Sequence, residues 1–123
     1  MYICAYHWLQ SWHWKRPFEK YIARPNHAVV AAVRDPTAKT SNQLLYATKG
    51  TDSRCIVVKI DSASETDALE AMSTLERDHG IAKLDLVIAN AGISKYFGTA
   101  EVTPVEEMMD HFKLNSVTPL LLF

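Results

Sequence analysis

Apolar residues along the chain fall into two kinds of run. His27–Val33 (HAVVAAV), Arg54–Ile60 (RCIVVKI) and Leu84–Ala89 (LDLVIA) are short, rich in β-branched residues and apolar at successive positions. That is the pattern of strands buried on both faces. Elsewhere the spacing changes to three and four. Ser64, with Asp67 three residues on, precedes Ala68, Leu69, Met72 and Leu75, and Gly80 closes the segment. A reciprocal cap, an apolar stripe and a left-handed stop together predict a helix. Thr103-Pro104-Val105-Glu106 reads as an N-cap, a proline at the first helical position and a glutamate at the third. The helix it opens carries Val105, Met108, Met109 and Phe112 as a stripe expected to be buried. Pro36–Lys49 is a less regular helix, with Leu44 and Leu45 its main apolar residues and Gly50 at its end. Strands apolar on both faces that alternate with amphipathic helices predict an α/β fold, a parallel sheet covered on both sides.

The segment before this pattern is different. MYICAYHWLQSWHWKRPF holds all three tryptophans and two of the five histidines. Its basic pair, Lys15-Arg16, follows the apolar stretch rather than preceding it, which is the reverse of a signal peptide. Trp8 and Trp12 share a helical face, so an interfacial anchor is one reading. Cys4, His7 and His13 lack a fourth metal ligand. A poorly ordered terminus fits better, giving two regions: an atypical segment 1–18 and an α/β region 19–123.

Composition narrows the function classes. The 123 residues are 48% hydrophobic and 22% charged, enough for one small domain. A net charge of -1 with scattered Lys and Arg gives no case for nucleic acid or an anionic membrane. No apolar stretch approaches the roughly 20 residues needed to span a bilayer. The two cysteines form no CxxC pair, and Cys55 sits in an apolar run as a small core residue. A reducing, cytoplasmic setting is expected.

In parallel sheets, ligands bind beyond the carboxyl ends of the strands. Three such ends can be read: Val33-Arg34-Asp35-Pro36, Ile60-Asp61-Ser62 and Ala89-Asn90-Ala91-Gly92. All three turn from apolar to polar or small residues. Any strand must turn somewhere, but three such ends together favour a ligand.

These ends also carry a resemblance. From about Glu19 to Phe123 the chain resembles the middle of a short-chain dehydrogenase/reductase. Asn90-Ala91-Gly92 after LDLVIA matches the family's N-A-G motif, Asp61 its acidic residue after the third strand, and Asn115 in FKLNSVTPLLLF its helical asparagine. ARPNHAVVAAVRDP and ANAGISKYFGTAEVTP resemble fungal ketoreductases of the norsolorinic acid ketoreductase type. The resemblance implies an NADP(H)-dependent oxidoreductase that reduces a ketone, plausibly an aromatic polyketide of secondary metabolism. Asn90, Ala91 and Gly92 would lie against the cofactor's ribose side, with Asn90 also bracing the central strands. Asp61 and Ser62 would meet the adenine, and Arg34 a 2′-phosphate, whose geometry suits a guanidinium. Asp35 would oppose that phosphate if it turned inward. Asn115 would be the asparagine of the catalytic tetrad, and the helix from Thr103 a surface for homo- or hetero-association.

The departures are equally specific. Gly50, Gly80, Gly92 and Gly98 are the only glycines, and none has the T-G-x-x-x-G-x-G spacing that cradles a pyrophosphate. Four residues after Tyr2, Tyr6, Tyr21, Tyr46 and Tyr96 stand Tyr6, Gln10, Pro25, Gly50 and Ala100, so no Tyr-x-x-x-Lys occurs. The expectation is a partial Rossmann-like doubly wound sheet, truncated at both ends. It would lack the first strand with its glycine-rich turn and the C-terminal catalytic half, and would be inactive alone. The alternative is a non-catalytic interaction protein. The family's sheet places a first strand between those at His27 and Leu84, and MYICAYHW has the β-type composition to stand in for it.

Overall fold

The computed structural model describes residues 1–6 and 15–122, with the backbone alone for 2–6. Four strands, β1 (Tyr2–Tyr6), β2 (Ala28–Val33), β3 (Arg54–Lys59) and β4 (Leu86–Ala89), form one sheet in the order β3-β2-β1-β4, every neighbouring pair parallel. The helices are α1 (Lys15–Ile22), α2 (Lys39–Leu44), α3 (Asp67–His79) and α4 (Val105–Phe112). The last runs on through a π-helical turn, Lys113–Val117, into one further turn, α5 (Thr118–Leu120).

All six residues of β2 are buried, as its unbroken apolar run requires. Its alternate side chains feed two cores. Val30 and Ala32 join Ile56, Val58 and Ile60 under Ala71 and Leu75 of α3, with Ile81 just beyond it. Val29, Ala31 and Val33 join Phe18 and Ile22 of α1 and Leu44 of α2 on the opposite face. Gly80 ends α3 at φ 66°, as its sequence position suggested. Cys55 is half-buried beside the second core, and its desolvation raises the thiol to about 11. It behaves as a core residue.

Four expectations are corrected. The place of a family-type first strand is filled: Tyr2–Tyr6 pairs with β2 through Tyr2↔Ala28 to Tyr6↔Ala32, and with β4 through Ile3↔Leu86 to Tyr6↔Ala89. The segment expected to be poorly ordered thus supplies a central strand, and its end, from Lys15, lies in α1. Trp8, Trp12, Trp14, His7 and His13 fall outside the described residues. Second, α1 itself was not foreseen. Its signal is the recurrence of Phe18, Tyr21 and Ile22, hidden by the surrounding Lys, Arg and Pro. Third, Leu69 is 73% exposed and Ala71 takes its place on the buried stripe of α3.

The fourth correction concerns α4. Val105, Met108, Met109 and Phe112 are each more than half exposed, and α4 has no buried residue. Its periodicity is that of an apolar face, but no described element covers that face. Its start also differs. Pro104 occupies the cap position with no side-chain bond, while the Thr103 hydroxyl donates backwards to Thr99 O at 2.8 Å.

Candidate nucleotide-binding edge

The register brings the carboxyl ends of the strands level. Val33 pairs with Lys59, and Tyr6 with both Ala32 and Ala89, so Arg34, Asp61 and Asn90 follow along one edge of the sheet. Going β1, β2, β3, the sheet grows in one direction; β4 then returns to the other side of β1. That reversal creates a switch point between β1 and β4, the place where open α/β sheets bind ligands. Asn90-Ala91-Gly92 leaves the sheet there.

The turn after β2 settles where Asp35 points. Its carboxylate accepts from the Thr37 N–H at 2.8 Å and the Thr37 hydroxyl at 2.6 Å, and its carbonyl accepts from Ser41 Oγ at 2.7 Å. These Thr37 bonds hold the Asp35 carboxyl below its ordinary range. The side chain is turned onto its own loop and held there as the carboxylate. Arg34 beside it is exposed.

The turn after β3 is built around Asp67. Its carboxylate accepts from the Asp61 N–H at 2.9 Å and from Ser64 Oγ at 2.6 Å, and Lys59 Nζ lies 3.4 Å away. Ser64 Oγ in turn accepts from the Asp67 N–H at 3.1 Å. The pairing of Ser64 with Asp67 was legible, but the reciprocal half differs: Asp67 reaches Asp61 N–H and the serine hydroxyl, not the Ser64 N–H. Asp61 Oδ1 accepts from Ala63 N–H at 2.9 Å. Ser62 is buried, and its carbonyl accepts from Thr118 Oγ1 at 2.8 Å, tying α5 to the end of β3. Sequence reasoning missed Thr118.

Asp67 also sets a pH dependence. The Ser64 hydroxyl, then the Asp61 N–H, lower its carboxyl below the usual value. A folded-state value below the unfolded one of about 3.9 gives stability that is complete above that range and lost as pH falls through the folded value. Asp67→Asn should therefore destabilise the chain at neutral pH. The difference from the native chain should shrink in acid, as read by urea unfolding at several pH values.

The loop after β4 answers why its backbone is bare. Asn115, inside the π-helical turn, accepts from Ile93 N–H at 2.7 Å and donates to Ile93 O at 3.0 Å. A Cβ built on Gly92 would meet Asn115 Oδ1 at 3.2 Å, so glycine leaves the room that this clasp occupies. π-turns of this kind re-aim one residue of a helix and concentrate at functional sites. The side-chain amide of Asn115 is thereby engaged on both its oxygen and nitrogen. Asn90 is exposed, and its side chain makes no bond among the described residues. Asn115→Ala should speed hydrogen exchange at the Ile93 amide by about tenfold or more, the loss of one hydrogen bond at a part-exposed site.

A parallel β3-β2-β1-β4 half-sheet with polar strand ends at its switch point defines a Rossmann-type nucleotide-binding fold. No protein-family model matches the chain. Among known proteins it is 41% identical over 106 residues to the norsolorinic acid ketoreductase of Aspergillus parasiticus, covering 85% of this chain and 38% of that one. It is 39% identical over 105 residues to the norsolorinic acid ketoreductase of Emericella nidulans, covering 85% and 40%. A short-chain dehydrogenase of Neurospora crassa is 34% identical over 104 residues, covering 84% and 41%. Among solved structures, an NADPH-bound carbonyl reductase from chicken fatty liver superposes with a TM-score of 0.81 at 20% identity. That match covers 98% of this chain and 45% of the other. The chain is similar to short-chain dehydrogenases/reductases and spans about 40% of the length of the curated relatives it matches.

Proposed function

We propose that these residues are the cofactor-side part of an NADP(H)-dependent short-chain reductase acting on a ketone, and that the 123-residue chain by itself transfers no hydride. The observation that carries this is the clasp of Asn115 on the loop Asn90–Ile93 at the sheet's switch point, in a chain similar to fungal ketoreductases. Arg34 would meet a 2′-phosphate, Asp61 and Ser62 the adenine, and Asn90, Ala91 and Gly92 the ribose side. Asn115, taken from the resemblance as the tetrad asparagine, would serve by positioning that loop. The fit is one-sided. The adenosine-side residues suit the nucleotide, but residues 7–14, HWLQSWHW, supply no glycine to let backbone approach a pyrophosphate. No Tyr-x-x-x-Lys stands ready to protonate an alkoxide. Mixed with NADPH and an aromatic ketone, the chain is expected to leave NADPH absorbance unchanged. Ketone-dependent consumption above a protein-free blank would refute the proposal.

A second reading rests on α4. Its exposed Val105, Met108, Met109 and Phe112 form an apolar face of the kind that marks a protein interface. On this reading the chain associates with a full-length relative through the helix that begins after Thr103. Co-elution of the two in size-exclusion chromatography supports it, and two separate peaks dispose of it.

A further inference from the structure

The two sides of the nucleotide edge come from loops far apart in the sheet. Asp61 and Ser62 follow β3, Asn90-Ala91-Gly92 follows β4, and β2 and β1 stand between those strands. One short helical segment touches both loops. Asn115 clasps Ile93 through its side-chain oxygen and nitrogen. A little further on, Thr118 Oγ1 donates to Ser62 O at 2.8 Å, with Lys113 O a second acceptor at 3.1 Å. The Thr118 N–H also bonds Lys113 O, which closes the π-helical turn that contains Asn115. One residue thus closes the turn that presents Asn115 and fastens it to the loop after β3. Thr118 is 4% exposed, so its hydroxyl meets protein and not ligand. Beyond it, Leu122 packs on the core formed by β2, β3 and α3 and holds the segment from its other end.

A buried carbonyl that loses its donor is left unsatisfied, which is costlier than the bond itself is favourable. Without the Thr118 hydroxyl, the Ser62 loop would move to find another partner, or the helical segment would draw away from it. Either movement loosens the turn in which Asn115 sits. We propose that Thr118 is a positioning residue that couples the two loops. It holds Ser62 and Ile93 in one arrangement, so that the adenine and ribose sides of a nucleotide meet both loops at once. That role rests on the nucleotide reading of this edge, while the coupling between the loops does not. Coupling of this kind is reciprocal, so order imposed on one loop is passed to the other.

The test uses the ¹⁵N-labelled whole chain, first without ligand. Thr118→Val keeps the side-chain shape and removes the hydroxyl. Hydrogen exchange at the Ile93 amide, which bonds Asn115 and not Thr118, should speed by at least about threefold, less than for Asn115→Ala. The Gly50 amide, bonded to Ile22 O at the opposite end of the sheet, reports the whole fold and should keep its rate. Thr118→Ser retains the hydroxyl and should exchange at Ile93 as the native chain does. Titrated with adenosine 2′-monophosphate and read at the Asp61 amide, Thr118→Val should bind at least about threefold more weakly than the native chain or Thr118→Ser. An unchanged Ile93 rate in a folded Thr118→Val variant, an equal speeding of Gly50, or a Thr118→Ser variant as fast as Thr118→Val overturns the coupling. Equal binding of the monophosphate by Thr118→Val and the native chain overturns the positioning role. Should Thr118→Val fail to fold, Thr118→Ser decides: native rates at Ile93 and Gly50 support the coupling, and a faster Ile93 overturns it. No Asp61 shift in the native chain would refute the nucleotide reading instead, and the ligand-free rates then decide the coupling.

Discussion

Cys4→Pro is expected to abolish the cooperative fold, with the far-ultraviolet circular dichroism of an unfolded chain at 25 °C. Cys4 lies midway along β1, opposite Val30 on one side and Val87 on the other, so this strand carries ladder bonds to both neighbours. Proline has no N–H to donate and a fixed φ, and in a central strand it costs at least about 3 kcal/mol. The larger effect is topological. β1 is the only link between the β2–β3 pair and β4 in the sheet, so loosening it leaves the packing of Leu84 and Val87 on the β2–β3 core and the Thr118–Ser62 bond to join the two halves. A small domain has only about 5–15 kcal/mol of total stability to lose. The same substitution at Ser73, on the exposed side of α3, breaks one helix and leaves the sheet order intact, so the two variants separate a local from a global effect.

The second large effect is Gly50→Ala. Gly50 donates its N–H to Ile22 O at 2.8 Å, and a Cβ on it would fall 2.4 Å from Arg24 O and 2.6 Å from Ala23 O. These are backbone atoms at the end of α1. They cannot swing aside like a side chain. The same crossing is laced by Asn26 N–H to Thr51 O at 2.9 Å and by Ser53, whose hydroxyl bonds Arg24 O and accepts from His27 N–H. An alanine would push the connection before β3 away from α1, at about 3 kcal/mol, the upper end for overpacking. Gly80→Ala is the natural comparison. Its φ of 66° is strained for alanine, but nothing lies within 4 Å, so only the left-handed penalty of about 1 kcal/mol applies. Chemical denaturation of the two variants should rank Gly50→Ala as clearly the more damaging.

What the sequence disclosed, and what it hid, follows from which signals are local. β2, β3, β4 and α3 could be read because a run buried on both faces, or a stripe with a glycine stop, states its own environment. β1 and α1 could not be read with the same ease. Their residues stand beside Trp, His and Lys-Arg, and a strand's place in a sheet is set by partners far along the chain. The apolar stripe of α4 was legible as a stripe, yet periodicity says only that a face is apolar, not that this chain covers it. At the candidate site, Asn90-Ala91-Gly92 and Asn115 were found separately, far apart along the chain. That the Asn115 amide closes on Ile93 and fills the space left by Gly92 is a tertiary fact. Gly50 appeared to end a helix, which in fact ends at Leu44; its true role depends on the backbone of Arg24, which no local pattern reveals.

The central claim is that the chain offers a nucleotide its adenosine side without a pyrophosphate cradle. The most direct measurement compares the affinities of NADPH and of adenosine 2′-monophosphate, read from the Asp61 and Gly92 amide shifts in the same NMR titrations. The account predicts that both ligands perturb these amides and bind within about threefold of one another, since the sequence carries no glycine-rich turn to reward a pyrophosphate. NADPH binding more than about tenfold tighter than the monophosphate, a difference of about 1.4 kcal/mol, or no perturbation by either ligand, would contradict it.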